Sequence, residues 1–483
     1  MAGLDKRRVG IVVILVCLFV AVGFESAVLT SREQLLASFF PAGWTATYYH
    51  ISGSSGLSPL AVSAYTPSQI KSAYKLPSSG GAGTTIAIVD AFDDPNVASN
   101  LNVFSQQFGL IPVSFTKVKI GSPSPNVGWG LEISLDVEWA HAIAPNATIL
   151  LVEANSNGDQ DLLNAVDYAR SQSNVVAVSM SWGGPEFSGE SFYDSYFTSS
   201  YGAAFFASSG DNGAGVSWPA VSSNVIGVGG TTLNLNTDGT VSSETAWSGS
   251  GGGISAFNSE PSYQQTYGVQ GTSGHRGVPD VSYNADLNTG VAVYDTYGYS
   301  GWIKVGGTSA GAPQWAAIQA LGRSTSNANF YADAKSVNYP SYFRDIISGS
   351  NGAYSAGPGY DFVTGLGSPL TTNFAPVNVT QTVHLLLSVN PNQAQYSRAE
   401  PLTFTVDVLN QLNPTLNSTL SMTITGPNDY SYFDFQTVNV TADTVSEYSF
   451  TWSIPNVAGT YVVEVSLVPP QLTAYDAKWL IVG

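Results

Sequence analysis

The sequence predicts an α/β domain, a parallel sheet covered by helices on both faces, followed by an all-β domain. Two observations carry this expectation. From about Tyr65, short apolar runs alternate with amphipathic helical stretches, the pattern of strands buried on both faces. After Pro369 the helical signal stops, and from about Thr380 to Gly483 apolar and polar residues alternate between turns containing Pro, Asn and Gly. A chain of 483 residues also exceeds what one hydrophobic core usually organises.

The first unit opens with an apolar strand at 85–90 and a helix at 95–108. Further strands are expected at 148–153, 175–181, 203–208 and 225–228, with helices between them at 131–143 and 159–171. In the last part the runs 384–389, 402–408, 420–424, 448–452 and 461–467 alternate with period two, which reads as an immunoglobulin-like β-sandwich. The resulting division is 1–24, an export or anchoring segment; 25–62, a short segment with one helical stretch at 31–39; 63–375, the α/β domain; and 380–483, the sandwich. The sandwich reads as a spacer or stability module, with a binding role as the alternative.

Hydrophobic residues make up 43% of the chain and charged residues 10%, the reverse of a disordered composition. A formal charge of -18, with only 16 Lys plus Arg, excludes nonspecific nucleic-acid binding, which needs clustered cations. Lys6, Arg7 and Arg8 precede an apolar run at 10–24, with small residues at Ala21 and Gly23. That is a secretory signal, and the expected location is extracellular; if the segment stays uncleaved, it anchors the protein at the cell surface. The only cysteine, Cys17, lies inside this segment, so a mature chain carries neither disulfide nor thiolate chemistry. Many carboxylates with few Lys and Arg also suit acid, because protonation then builds up little positive self-repulsion. An exported surface adapted to neutral pH has the same composition.

The strongest local signal is Gly306, Gly307, Thr308, Ser309, Ala310, Gly311, Ala312 and Pro313, between an apolar strand and a helical run. Small residues let a substrate backbone approach, and a helix start favours negative charge developing on Ser309. An isolated Ser here would be a plain helix cap. Glu132 and Asp136 are four apart and share one helix face. Exposed, they would merely repel; brought together in a partly desolvated cleft, they share a proton, with one pKa raised and the other lowered. Asp211 sits in Ser208, Ser209, Gly210, Asp211, Asn212 and Gly213 after an apolar strand, where a turn is the plain alternative.

The run 307–313 resembles the nucleophile motif shared by subtilisins and sedolisins, and the stretch 130–139 around Glu132 and Asp136 resembles the sedolisin acid motif. The resemblance covers about 65–369 and implies a subtilisin-like parallel sheet and a serine-carboxyl endopeptidase acting on proteins or peptides. It implies Ser309 as nucleophile, Glu132 as base, Asp136 as its partner and Asp211 in the oxyanion hole. Only a protonated carboxyl can donate to an oxyanion, so this set works in acid. A subtilisin-like set of Asp90, His141 and Ser309 is the alternative, but His141 lacks Gly-rich surroundings, and Asp90 reads as a structural strand end.

The resemblance further implies one structural calcium ion held by Asp345 and Asp361 side chains with the Ile346, Gly357 and Gly359 carbonyls, residues that could otherwise be turn formers. It also makes 179–184 a substrate-binding edge. One departure stands out: only residues 25–62 separate the export segment from the peptidase-type sequence, where family members usually carry a long folded propeptide. A monomer is expected. The rival reading is a noncatalytic exported cell-surface binding protein on a protease-like scaffold.

Overall fold

The computed structural model describes residues 45–46, 49–50, 62–322, 326–372 and 374, and in the C-terminal part 383–390, 396–410, 416–428, 430–441, 444–468 and 475–483. The expected export segment and the helical stretch at 31–39 lie outside them. Among the described residues no helix is long and apolar enough to cross a membrane.

The strands that position the site are β1 (Thr45–Ala46), β2 (Tyr49–His50), β3 (Thr85–Ala91), β4 (Ser114–Lys119), β5 (Thr148–Ala154), β6 (Val175–Met180), β7 (Trp182–Pro185), β8 (Ala204–Ser208), β9 (Val225–Leu235), β10 (Val241–Ala246), β11 (Val281–Asn284), β12 (Val291–Asp295) and β13 (Gly301–Gly306). An eight-stranded sheet runs β10-β9-β8-β6-β3-β5-β4, with β11 also beside β9. All its pairings are parallel except the β9–β10 hairpin.

Side chains alternate across a strand, so β3 feeds two cores. Ile86 and Ile88 pack with helices α1 (Pro67–Ala73), α2 (Val97–Phe108), α3 (Val127–Ile143) and α5 (Gly311–Gly322). Ala87 and Val89 pack with α4 (Asp159–Arg170) on the other face. The sheet is therefore covered on both sides, as the buried apolar strands require.

Helix α3 begins four residues before the expected start at 131. Its first turn holds Gly128 and Gly130, poor helix formers that hide the start from periodicity. Asn126 supplies the missing signal: its side chain accepts from the Trp129 N–H at 3.1 Å and caps the helix. Every residue from Trp129 to Ile143 is buried, so the helix is enclosed all round rather than amphipathic.

The C-terminal part is a pair of antiparallel sheets, one of three strands and one of four. Leu402, Phe404, Val406 and Val408 of one sheet meet Ile424, Tyr461 and Val463 of the other in a single core. This module packs directly on α4. Arg170 bonds Asp167 at 2.8 Å and reaches Asp476 at 3.4 Å, and Lys478 ion-pairs with Asp167. The Ser195 hydroxyl donates to the Ala477 carbonyl at 3.1 Å.

Two short strands near the amino terminus lie against the peptidase-type sheet system. β1 pairs antiparallel with β7, and β2 pairs antiparallel with the end of β13.

Candidate active site

Ser309 follows β13 in a tight turn that runs into α5, and it is fully buried. Gly307 makes the turn possible: its φ of 114° is a conformation side chains rarely adopt. Gly210, at φ 112°, does the same before Asp211. The two turns are tied together, because one Asp211 oxygen accepts from both the Thr308 N–H and the Thr308 hydroxyl at 2.8 Å. The other Asp211 oxygen, Oδ2, is buried with no partner among the described residues. Burial raises the Asp211 carboxyl to about 7, against the lowering effect of the two Thr308 bonds.

Helix α3 packs against α5 and the Ser309 turn, bringing Glu132 and Asp136 near Ser309. Both are completely buried. Burial pushes Glu132 well up, the negative charge of Asp90 adds to this, the Ser309 hydroxyl opposes it, and Asp211 raises it further. Asp136 is raised by burial, then by Asp90 and Glu132, against the Ser181 hydroxyl. Ser309 and Ser181 stand close enough to lower these carboxyls, yet none of the four acid oxygens completes a full hydrogen bond in this resting geometry. Such looseness is usual before substrate binds.

Asp90 is at the strand end where the sequence placed it, but its surroundings are those of the acid cluster. It lies at the C-terminal end of β3, paired in register with Glu153 of β5, and it faces Asp136 and Glu132. Burial and then the Glu153 charge lift it to about 8. Ligand sites in parallel sheets gather at such strand ends, which was the available signal. His141 is not part of this constellation. Its neighbours are Ile111 and Lys71, burial lowers it to about 4, and it is not among the groups that act on Glu132 or Asp136.

Below the site, Ser181 links β6 to β7, and its hydroxyl donates to the Ser309 carbonyl at 3.3 Å. The stretch 179–184, expected to be a substrate edge, thus borders Ser309.

Residues 124–357 match the Subtilase family, a span that includes all four of the predicted catalytic residues. The fold also matches a solved structure, Pseudomonas sedolisin (serine-carboxyl proteinase) complexed with two molecules of pseudo-iodotyrostatin. Identity is 31%, the TM-score is 0.56, and the match covers 63% of this chain and 95% of that one. This chain belongs to the sedolisin family.

Sedolisin of Pseudomonas sp. (strain 101) is 30% identical over 59% of this chain and 56% of its own length. Kumamolisin of Bacillus sp. (strain MN-32) is 34% identical, covering 64% of this chain and 63% of that protein. Tripeptidyl-peptidase 1 of Dictyostelium discoideum is 29% identical over 59% of this chain and 53% of its own. The chain therefore spans a little over half the length of these curated sedolisin-family relatives.

The two loops expected to bind calcium do converge. The Gly359 N–H donates to both Asp345 oxygens at 3.1 Å, and the Gly357 N–H donates to Asp361 at 3.3 Å, so the loop is held between two carboxylates. Burial lifts Asp361 to about 6 against the bonds from Thr364, Val363 and Gly357. Neither acid is ion-paired among the described residues. Two hard carboxylates without an ion-pair partner among the described residues fit part of the donor chemistry of calcium.

Proposed function

We propose that this chain is an exported, acid-active endopeptidase that hydrolyses peptide bonds in proteins through an acyl-enzyme on Ser309. One observation carries the reading: Ser309 is buried between a carboxyl pair with raised proton affinity and the unpartnered Oδ2 of Asp211. Glu132 takes the Ser309 proton as the oxygen attacks the peptide carbonyl, and Asp136 holds Glu132 in place and shares its charge. Asp211, protonated on Oδ2, donates to the oxyanion together with the Ser309 amide. Glu132 returns the proton to the leaving amine, and water then releases the acyl group.

The acid optimum follows from Asp211. Its carboxyl, raised to about 7, is a donor below that pH and a repelling charge above it. Internal cleavage is favoured over removal of short N-terminal peptides because backbone edges flank Ser309 on both sides, β7 on one and the end of β13 on the other. Asp345 and Asp361, with the Ile346, Gly357 and Gly359 carbonyls, would hold a calcium ion that pins the two loops without touching the reacting atoms. Export rests on the basic and apolar segment 1–24.

The test is peptide hydrolysis by purified protein from acid to neutral pH, with Ser309→Ala as the blank. An acid maximum lost in the blank supports the reading. Inactive, folded, calcium-loaded wild type would replace it with the binding-protein alternative.

A further inference from the structure

The two oxygens of Asp211 stand in different surroundings. Oδ1 accepts from the Thr308 N–H and from the Thr308 hydroxyl, both at 2.8 Å, whereas Oδ2 is buried with no partner among the described residues. The hydroxyl is itself committed: its oxygen accepts from the Gly210 N–H at 3.1 Å, and its single proton goes to Asp211. Thr308 is fully buried, so water does not compete for these bonds.

A carboxyl proton on Oδ1 would face an N–H, which cannot accept it, and a hydroxyl whose own proton already points there. The proton of neutral Asp211 therefore sits on Oδ2. The hydroxyl is also held in direction. Thr is β-branched and stiff at χ1, and its methyl lies against Gly230, where a Cβ would come within 3.4 Å of it. Because Thr308 precedes Ser309 in the chain, one turn carries both the residue that aims Asp211 and the Ser309 amide.

We infer that Thr308 is a positioning residue for the oxyanion hole: its hydroxyl and amide fix the Asp211 carboxyl in rotation and place its proton on Oδ2, unspent until a substrate carbonyl arrives. The inference rests on the peptidase reading above. No bond forms or breaks at Thr308. As the tetrahedral oxygen develops charge, Oδ2–H donates to it and stays covalently on Asp211.

Glu132 on α3 is the acid that feels Asp211, and no Lys or Arg pairs with Asp211 among the described residues. The Thr308 bonds favour the ionised carboxyl, so without the hydroxyl the Asp211 proton leaves at higher pH. Loss of the hydroxyl then has two opposed effects: turnover falls, and what remains persists further toward neutrality. Damage to packing alone gives the first without the second.

The experiment follows hydrolysis of a fluorogenic peptide by the full chain from acid to neutral pH, comparing wild type with Thr308→Val, Thr308→Ala and Thr308→Ser, each checked for a cooperative melt. Thr308→Val and Thr308→Ala are expected to lose about tenfold to a hundredfold in kcat with KM nearly unchanged, since a misaimed donor weakens the transition state alone. Their alkaline limb should move to higher pH. Thr308→Ser restores the hydroxyl and should recover most of the turnover and the wild-type limb. In an Asp211→Asn background the donor is set by covalent structure rather than by where a proton sits, so Thr308→Val should cost less there than in wild type.

Full turnover in both hydroxyl-free variants, a fall with an unmoved alkaline limb, or no recovery in Thr308→Ser would each overturn the inference and leave the peptidase reading standing. Hydrolysis retained by Ser309→Ala would remove the peptidase reading itself.

Discussion

Two buried acid clusters in this molecule meet opposite fates. Around Ser309, Asp90, Glu132 and Asp136 have no ion-pair partner among the described residues, and burial, helped by neighbouring carboxylates, drives all three upward. At the junction with the C-terminal module, burial would raise Asp167 in the same way, but Lys478 and Arg170 outweigh it and hold the carboxyl below its usual range. Asp476 lies between these cases: burial lifts it despite Arg170 and the Leu387 amide. The comparison separates structure from chemistry. A buried carboxylate given a cation becomes a fixed charge, and one denied a cation becomes a proton carrier.

The sharpest way to break the first cluster is Glu132→Gln, which keeps the shape and removes the base. Turnover should fall by at least ~10⁴-fold, as should Ser309→Ala, and the double variant should cost little more than either alone. Fully additive losses in steady-state kinetics would show that the two do not act as a unit.

The second cluster breaks with Lys478→Met, which leaves Asp167 short of one cation. Calorimetry should read a loss of about 3–5 kcal/mol, because an uncompensated buried charge remains. Turnover of the folded enzyme should be unchanged. Adding Asp167→Asn should recover part of the loss, and a further fall would contradict the pairing.

Asp211 tests whether a raised carboxyl acts as a donor. Asp211→Ala should lower acid turnover about a hundredfold to a thousandfold. Asp211→Asn, a donor at any pH, should lose less in acid and carry activity further toward neutrality. An unmoved pH profile in a normally active Asn variant would remove Asp211 from the oxyanion role.

A smaller effect concerns stability. Asp90, Asp211, Glu153 and Asp94 sit at about 8, 7, 7 and 6 in the folded chain, against about 4 when unfolded. The folded state binds their protons more tightly, so their stabilisation is complete below about pH 4 and is lost as pH rises through these values. The melting temperature should therefore fall from pH 4 to pH 8. A rise over that window would contradict the raised proton affinity of these four acids, since lowered acids such as Asp167 change stability only below about pH 4. Chelation of calcium should lower the melting temperature further, and an unchanged melt after prolonged chelation would count against Asp345 and Asp361 as ligands.

Much of this was legible because it is local. Glu132 and Asp136 are one helical turn apart, and the small residues around Ser309 announce a close backbone approach. The sheet was legible because buried parallel strands are continuous apolar runs. Asp90 was not, since its meaning comes from a helix more than forty residues away in sequence. Strand β4 was missed because its residues are half exposed and carry Lys117 and Lys119. The Asp167–Lys478 pair and the pairing of β1 with β7 join distant segments, and no periodicity encodes either.

The proposed nucleophile and base ride on different helices, Ser309 at the head of α5 and Glu132 within α3, and the two pack side by side. Their separation is consequently a dimension of the hydrophobic core. Repacking the core that holds both helices, for example with Ala316→Val on α5, alters reach between oxygen and carboxyl without touching either, so turnover becomes a ruler for interior packing.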